Sequence, residues 1–114
     1  MPLLNITTNQ SLEPERQTDR IRQASAMVAK MLGKPERYVM INLIGNSNLS
    51  FGGNFEPLAY LELKSIGLPA ERTREFSETL CGFMEEAFGI PPERVYIEFS
   101  DAQRHLWGWN SGTF

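Results

Sequence analysis

The segment Gly33-Lys34-Pro35-Glu36-Arg37-Tyr38-Val39 returns later in the chain as Gly89-Ile90-Pro91-Pro92-Glu93-Arg94-Val95-Tyr96. The shared Pro-Glu-Arg triplets begin at residues 35 and 92, so the two copies are offset by half of the 114-residue chain. Self-similarity of this kind indicates two copies of one supersecondary unit. The sequence around each copy supports this interpretation.

The first half of the chain has the pattern of a βαβ unit. Leu3 to Thr8 is rich in β-favouring residues and predicts a strand. Pro14 to Leu32 carries apolar residues at helical spacing, and Gly33 suits the left-handed conformation that commonly ends a helix. Tyr38 to Ile44 then predicts a second strand.

The second half repeats this pattern. Leu58 to Ile66 alternates apolar and polar residues, and the same alternation begins again at Val95. Between them, Pro69 opens a predicted helix that Gly89 ends. The order βαβ–βαβ predicts an α+β fold, with a four-stranded mixed sheet and two helices on one face. We expect a single domain over residues 1–114, with repeats of roughly 1–57 and 58–114.

Composition excludes several classes of function. The net charge is −3 and no lysine or arginine cluster stands out, which argues against nucleic acid as a partner. The first residues lack the pattern of a secretory signal and no apolar run is long enough to span a membrane, so we expect a cytoplasmic protein. Cys81 and His105 are the only residues of their types, so we expect no intrachain disulfide and no zinc site. We expect no cofactor either.

One face of the predicted sheet has no helix to cover it. Its side chains form a polar and aromatic set, and the C-terminal segment is aromatic as well. Exposed aromatic clusters usually mark interfaces, so both features predict oligomerisation. The residues concerned are Tyr60, Glu62, Lys64, Tyr96 and Glu98 on the face, and Trp107, Trp109 and Phe114 in the terminal segment.

Pro2 is the candidate catalytic residue. Removal of Met1 would leave a secondary amine, which apolar surroundings or a nearby cation would keep unprotonated at neutral pH. Such an amine can take a proton from carbon next to a carbonyl. Lys34 approaches the second strand at the same sheet edge and would supply the cation. In the alternative interpretation, Pro2 is an ordinary second residue and Lys34 a solvated lysine near a helix C-terminus.

An ordered set of short motifs runs through nearly the whole chain. This set resembles the macrophage migration inhibitory factor family of the tautomerase superfamily. The motifs are Pro2, Gly33-Lys34-Pro35, Phe51-Gly52-Gly53, Glu56-Pro57, Ser65-Ile66-Gly67, Leu80-Cys81-Gly82, Arg94-Val95-Tyr96-Ile97, Gly108-Trp109-Asn110 and Thr113-Phe114.

The resemblance implies a homotrimer with active sites between subunits, in which Pro2 is the general base of keto–enol isomerisation. It implies that Lys34 holds the substrate carboxylate and that the Ile66 backbone amide contacts the ligand. Tyr96 would come from the neighbouring subunit. Trp109 and Phe114 would form an aromatic wall, with Tyr38 at the pocket rim. The implied substrate is a small aromatic α-keto acid such as phenylpyruvate, with dopachrome as a second possibility.

Three departures from the family pattern qualify these expectations. Glu98 stands where many animal members have asparagine, which predicts an altered substrate preference. Leu58 and Leu61 replace the cysteines of a CxxC motif, so thiol chemistry should be absent. Asn46 replaces an aspartate tied to receptor recognition. The alternative to an enzyme is a cytokine-like or protein-binding module with a residual pocket, and a chain that keeps Met1 would favour that alternative.

Overall fold

The computed structural model describes all residues from 1 to 114 and contains two helices and six strands. Short 3-10 turns precede β2, α2, β4 and β5. The elements are β1 (Leu3–Thr8), α1 (Pro14–Leu32), β2 (Met40–Ile44), β3 (Ala59–Ile66), α2 (Thr73–Phe88), β4 (Val95–Ala102), β5 (Gly108–Trp109) and β6 (Gly112–Thr113).

The main sheet has four strands in the order β2-β1-β3-β4. Strands β1 and β2 are parallel, as are β3 and β4, while β1 and β3 pair antiparallel in the middle. Each half of the chain therefore contributes one βαβ unit, and the two units join through their first strands. The predicted α+β fold with a duplicated βαβ unit and a mixed sheet is confirmed.

Both helices cover the same face of the sheet. The strands alternate between buried and more exposed positions, and their buried side chains share one core with the apolar sides of the helices. Burying apolar surface of this kind is the main stabilising term of folding. Members of this core from the sheet are Leu4, Ile6, Leu61 and Leu63, and those from the helices are Val28, Phe76, Leu80 and Met84.

Both helices end in the same way. Gly33 follows α1 with a φ of 64° and Gly89 follows α2 with a φ of 68°. At the end of α1, the Gly33 N–H donates to the Lys30 carbonyl and the Lys34 N–H donates to the Ala29 carbonyl. This pair of bonds defines a Schellman motif, which satisfies carbonyl groups that the helix leaves free. It also turns the chain sharply, so that Lys34 leaves the helix toward the sheet.

Two elements begin at least two residues later than the sequence predicts, and β3 begins one residue later, at Ala59. The strand predicted from Tyr38 begins at Met40, because residues 36–38 form a 3-10 turn in which the Tyr38 N–H donates to the Pro35 carbonyl. Pro69 does not open the second helix itself; it precedes a 3-10 turn over Ala70–Arg72, and α2 begins at Thr73. Neither helix is both long and apolar enough to cross a membrane.

Candidate functional site

A cavity lies beside the N-terminus, at the edge of the sheet where β1 and β2 both begin. Pro2 is buried, and its carbonyl accepts a hydrogen bond of 3.0 Å from the Met40 N–H, which fixes the start of β1 against the start of β2. The cavity has a volume of about 410 Å³. Most of its lining is apolar and comes from Met1, Pro2, Leu3, Arg37, Tyr38, Val39, Met40, Trp107, Gly108, Trp109 and Phe114.

Three aromatic rings form one wall of this cavity. Trp109 and Phe114 stack with their centroids 5.1 Å apart, and Tyr38 meets each of them edge-on at 5.6 and 5.7 Å. The stacking follows from the β5–β6 hairpin, in which Trp109 pairs with Gly112 and the chain reverses through Asn110 and Ser111 at positive φ. Edge-on and stacked contacts of this kind are favourable arrangements of aromatic rings.

Lys34 does not line this cavity, but it lies close enough to the N-terminal amino group to act on it by charge. Its Nζ donates a hydrogen bond of 3.3 Å to the Ile66 carbonyl at the end of β3. The Lys34 side chain therefore reaches from the end of α1 to the end of β3, the strand that pairs antiparallel with β1. Both the ammonium group and the Ile66 backbone adjoin the N-terminal edge.

The N-terminal amino group has a lowered pKa in this environment. Partial burial is the largest cause, and the positive charges of Lys34 and Arg104 add to it because each disfavours a second cation nearby. Arg104 is held in place by a hydrogen bond of 3.2 Å from its Nε to a Phe114 oxygen. With Met1 in place, the affected nitrogen is that of Met1, and the Pro2 nitrogen is an amide.

Tyr96 lies toward the end of the sheet that is opposite Pro2, and Glu98 lies halfway along β4. Tyr96 pairs in register with Tyr60, which is itself opposite Thr7 near the end of β1. The Tyr96 ring contacts Phe51 at 4.8 Å, and both line a second cavity of about 300 Å³.

Glu98 belongs to a hydrogen-bonded group on the uncovered face of the sheet. The Tyr60 hydroxyl lies 3.0 Å from a Glu98 oxygen and 3.2 Å from a Glu62 oxygen, so it donates to one of the two carboxylates at a time. Glu62 also accepts from Asn5 and forms an ion pair of 3.9 Å with Lys64. Partial burial and these hydrogen bonds raise the pKa of Tyr60 to about 12.

Within one chain, the structure brings together only part of the set of residues that the sequence singled out. Pro2, Tyr38, Trp109 and Phe114 line one cavity. Lys34 lies close enough to act on the N-terminal amino group and bonds to Ile66, whereas neither Tyr96 nor Glu98 lines this cavity. No group of three or more His, Cys, Asp or Glu side chains is arranged to hold a metal ion.

Sequence reasoning missed two arginines near the N-terminal cavity. Arg37 lines it, and Arg104 acts on the N-terminal amino group. Arg37 was visible in the repeated Pro-Glu-Arg triplet, where it served only as a marker of the repeat. Nothing in the sequence indicates that Arg104 lies near the N-terminus, because that depends on how the C-terminal segment folds back.

The family model and the similar proteins all indicate the same family. The family model described as Macrophage migration inhibitory factor (MIF) matches residues 1–114. A macrophage migration inhibitory factor homolog from Trichuris trichiura is 35% identical over 115 residues, covering 100% of both chains. The Xenopus tropicalis macrophage migration inhibitory factor is 32% identical over 115 residues, covering 100% of this chain and 99% of its relative.

Solved structures agree with these matches. The crystal structure of a macrophage migration inhibitory factor homologue from Prochlorococcus marinus superposes with a TM-score of 0.91 at 43% identity, covering 98% of each chain. The chain therefore belongs to the macrophage migration inhibitory factor family.

Proposed function

We propose that this protein is a cofactor-free keto–enol tautomerase that acts on phenylpyruvate and uses the Pro2 amine as its general base after Met1 is removed. Membership of the family supports an isomerase in general. Phenylpyruvate as the substrate and Pro2 as the base are proposed in addition to this general activity. Dopachrome isomerisation is a second activity to be tested with the same protein.

The lowered pKa at the N-terminus is the observation that carries the proposal. The pKa of an α-amino group is ordinarily about 8, so the lowered pKa of the Met1 amino group increases its unprotonated fraction at neutral pH. The causes are partial burial of the Met1 nitrogen and the positive charges of Lys34 and Arg104, and these two side chains are also present in a chain that has lost Met1. In a chain that has lost Met1, the terminal nitrogen is that of Pro2, which lines the same cavity.

The proposed reaction needs only one proton acceptor. The Pro2 nitrogen takes a proton from the carbon next to the keto group, and the electron pair of that C–H bond moves toward the carbonyl oxygen. The protonated proline then returns its proton to that oxygen and yields the enol. Lys34 would hold the substrate carboxylate by charge, and the wall of Tyr38, Trp109 and Phe114 would contact the phenyl ring.

The remaining predicted site residues require a second copy of the chain. Tyr96 and Glu98 are exposed on β4, which β3 separates from β1, and neither lines the cavity beside Pro2, so they would reach a substrate only from a neighbouring subunit. We propose a homotrimer with active sites between subunits, in which Tyr96 completes the pocket and Glu98 modifies its substrate preference. The uncovered face of the sheet is the surface available for this assembly.

Phenylpyruvate isomerisation, followed by ultraviolet absorbance, tests the proposal. Three preparations are compared: protein whose intact mass confirms the loss of Met1, its Pro2→Gly variant, and protein that retains an extra N-terminal residue. We expect rapid turnover only in the first, because the glycine variant has a primary amine and the extended chain has an amide at Pro2. Equal, near-background rates in all three would overturn the proposal.

A protein-binding role is the second candidate. The observation that favours it is the strong exposure of two apolar side chains away from the sheet core, Phe55 at 77% and Leu106 at 72%. Surface apolar residues contribute to contacts between proteins when they lie in a larger patch. The two functions separate in the Pro2→Gly variant, which would lose isomerisation and keep any surface recognition.

A further inference from the structure

The internal repeat provides two arginines at equivalent positions, Arg37 in the first βαβ unit and Arg94 in the second. Each belongs to a 3-10 turn that leads from a helix to a parallel strand. Each guanidinium lies over an aromatic ring, Arg37 over Tyr38 at 4.7 Å and Arg94 over Phe51 at 5.2 Å. The two residues therefore share a local geometry, but they differ in the hydrogen bonds that their guanidinium groups make.

Arg94 has its donors occupied. Its guanidinium donates to the carbonyl oxygens of Pro57 at 2.9 Å, Glu56 at 3.1 Å and Phe51 at 3.2 Å, and it reaches the Asn54 carbonyl at 3.5 Å. A guanidinium at this position of the unit can thus bind several oxygen atoms at once, as its planar fork of five donors allows.

Arg37 has no such partner within the chain. Its guanidinium makes no hydrogen bond and no ion pair within the chain. The residue is exposed and is one of those that line the N-terminal cavity, beside Tyr38. No aspartate or glutamate is among the residues that line this cavity. The stacked Tyr38 ring restricts the orientation of the fork, which leaves its donors available to a ligand in the cavity.

Two other cations, Lys34 and Arg104, act on the terminal amino group, but neither is among the residues that line the cavity, whereas Arg37 is. The cavity therefore has positive charge at two places, one close to the N-terminal nitrogen and one at the guanidinium of Arg37. A ligand whose only carboxylate lies near the N-terminal nitrogen makes no contact with the Arg37 guanidinium.

We propose that Arg37 is a second anion-binding residue of this cavity, and that the preferred substrates are α-keto acids that carry another negatively charged group at the end remote from the keto acid. The inference rests on the proposed tautomerase function and narrows its substrate class to keto dicarboxylates. A carboxylate is well matched to the guanidinium fork, because two parallel N–H···O bonds form between the two planar groups.

Binding of unreactive anions tests the role of Arg37 without turnover. Terephthalate, which has two carboxylates on one ring, is compared with benzoate by isothermal titration calorimetry. The proteins are the wild type, Arg37→Gln and Arg74→Gln. Arg74 is an exposed residue of α2 without a hydrogen bond or ion pair, so its variant has the same loss of charge away from the cavity. We expect Arg37→Gln to weaken terephthalate relative to benzoate by about fivefold or more, since charge-assisted hydrogen bonds are lost. Arg74→Gln should leave that ratio unchanged.

Measuring turnover of two substrates is the second test. The ratio of kcat/KM for (4-carboxyphenyl)pyruvate to that for phenylpyruvate should exceed one in the mature wild type and fall about fivefold in Arg37→Gln. Absence of turnover with both substrates would overturn the proposed function alone, because the binding arm still decides the role of Arg37.

Two results would overturn the inference. In one, terephthalate binds no more tightly than benzoate, or both arginine variants weaken it equally. In the other, Arg37→Gln leaves the binding ratio unchanged. If the oligomer of that variant also dissociates at higher protein concentration in sedimentation experiments, the Arg37 guanidinium binds an acidic residue of a neighbouring subunit instead.

Discussion

Replacing Arg94 by glutamine should loosen the loop of residues 51–57 and lower the free energy of unfolding. Arg94 joins the start of β4 to this loop through three carbonyl oxygens at 2.9 to 3.2 Å, while the fourth contact, at 3.5 Å, is too long to count for much. The loop also holds Phe51 against Tyr96 at 4.8 Å. The variant therefore perturbs stability and the exposed aromatic pair together.

The magnitude follows from the number of bonds and their exposure. An intramolecular hydrogen bond contributes about 1 kcal/mol net, and a bond to a charged group contributes up to about 3 kcal/mol when it is shielded from water. Most of the loop is exposed, so water can replace the lost donor at the freed carbonyls. We therefore use about 1 kcal/mol for each of the three short bonds and reduce the sum, which gives an expected loss of about 2 kcal/mol.

Urea unfolding at one fixed protein concentration measures this loss, since any oligomer makes stability depend on concentration. Amide hydrogen exchange over residues 51–57 reports on the loop directly. Arg94→Lys, which keeps the charge but not the fork, should give an intermediate loss. Arg74→Gln is the control and should change stability by less than about 0.5 kcal/mol. If Arg94→Gln behaved like this control in both measurements, the role given to the guanidinium would be wrong.

Two further predictions concern backbone conformation and pH. Gly33→Ala should lower the free energy of unfolding by about 1 kcal/mol, because Gly33 has a φ of 64° that a side chain disfavours. Gly82→Ala should instead raise it by about 0.5 to 1 kcal/mol, because Gly82 lies inside α2 with open space around its missing Cβ; two losses of equal size in thermal unfolding would contradict the pair. The pKa of Tyr60 is raised from 10.0 to about 12, so the neutral phenol stabilises the fold below pH 10 and this contribution is lost as the pH rises to 12. Stability of the wild type should fall more steeply over that range than stability of Tyr60→Phe, and parallel curves would show that the carboxylates do not hold the phenol neutral.

Much of the fold follows from local sequence patterns. The bounds predicted for the first strand and helix, Leu3–Thr8 and Pro14–Leu32, coincide with β1 and α1. Gly33 is the reason that the helix end is predictable, since its left-handed conformation is a local property. The start of β2 was predicted too early because Tyr38 and Val39 favour strands, whereas the turn after Pro35 depends on hydrogen bonds that residue preferences do not show.

The candidate site is less accessible to sequence reasoning. Pro2 and Lys34 could be placed at one sheet edge from the parallel pairing of β1 and β2. Arg37 was overlooked because the same triplet in the second repeat gives Arg94, whose role is to hold a loop. Only the packing of the C-terminal hairpin brings Arg104 to the N-terminus, and that packing joins residues from opposite ends of the chain.

Titration of the Pro2 nitrogen tests the central claim most directly. In protein that has lost Met1 and carries ¹⁵N-labelled proline, the chemical shift of this nitrogen is followed against pH and compared with the pH dependence of kcat/KM for phenylpyruvate. We expect a pKa below the ordinary α-amino value of about 8, equal to the pKa of the acidic limb of the rate profile, and raised when Lys34 is replaced by glutamine. An ordinary pKa, or a rate profile governed by a different pKa, would contradict the assignment of Pro2 as the base.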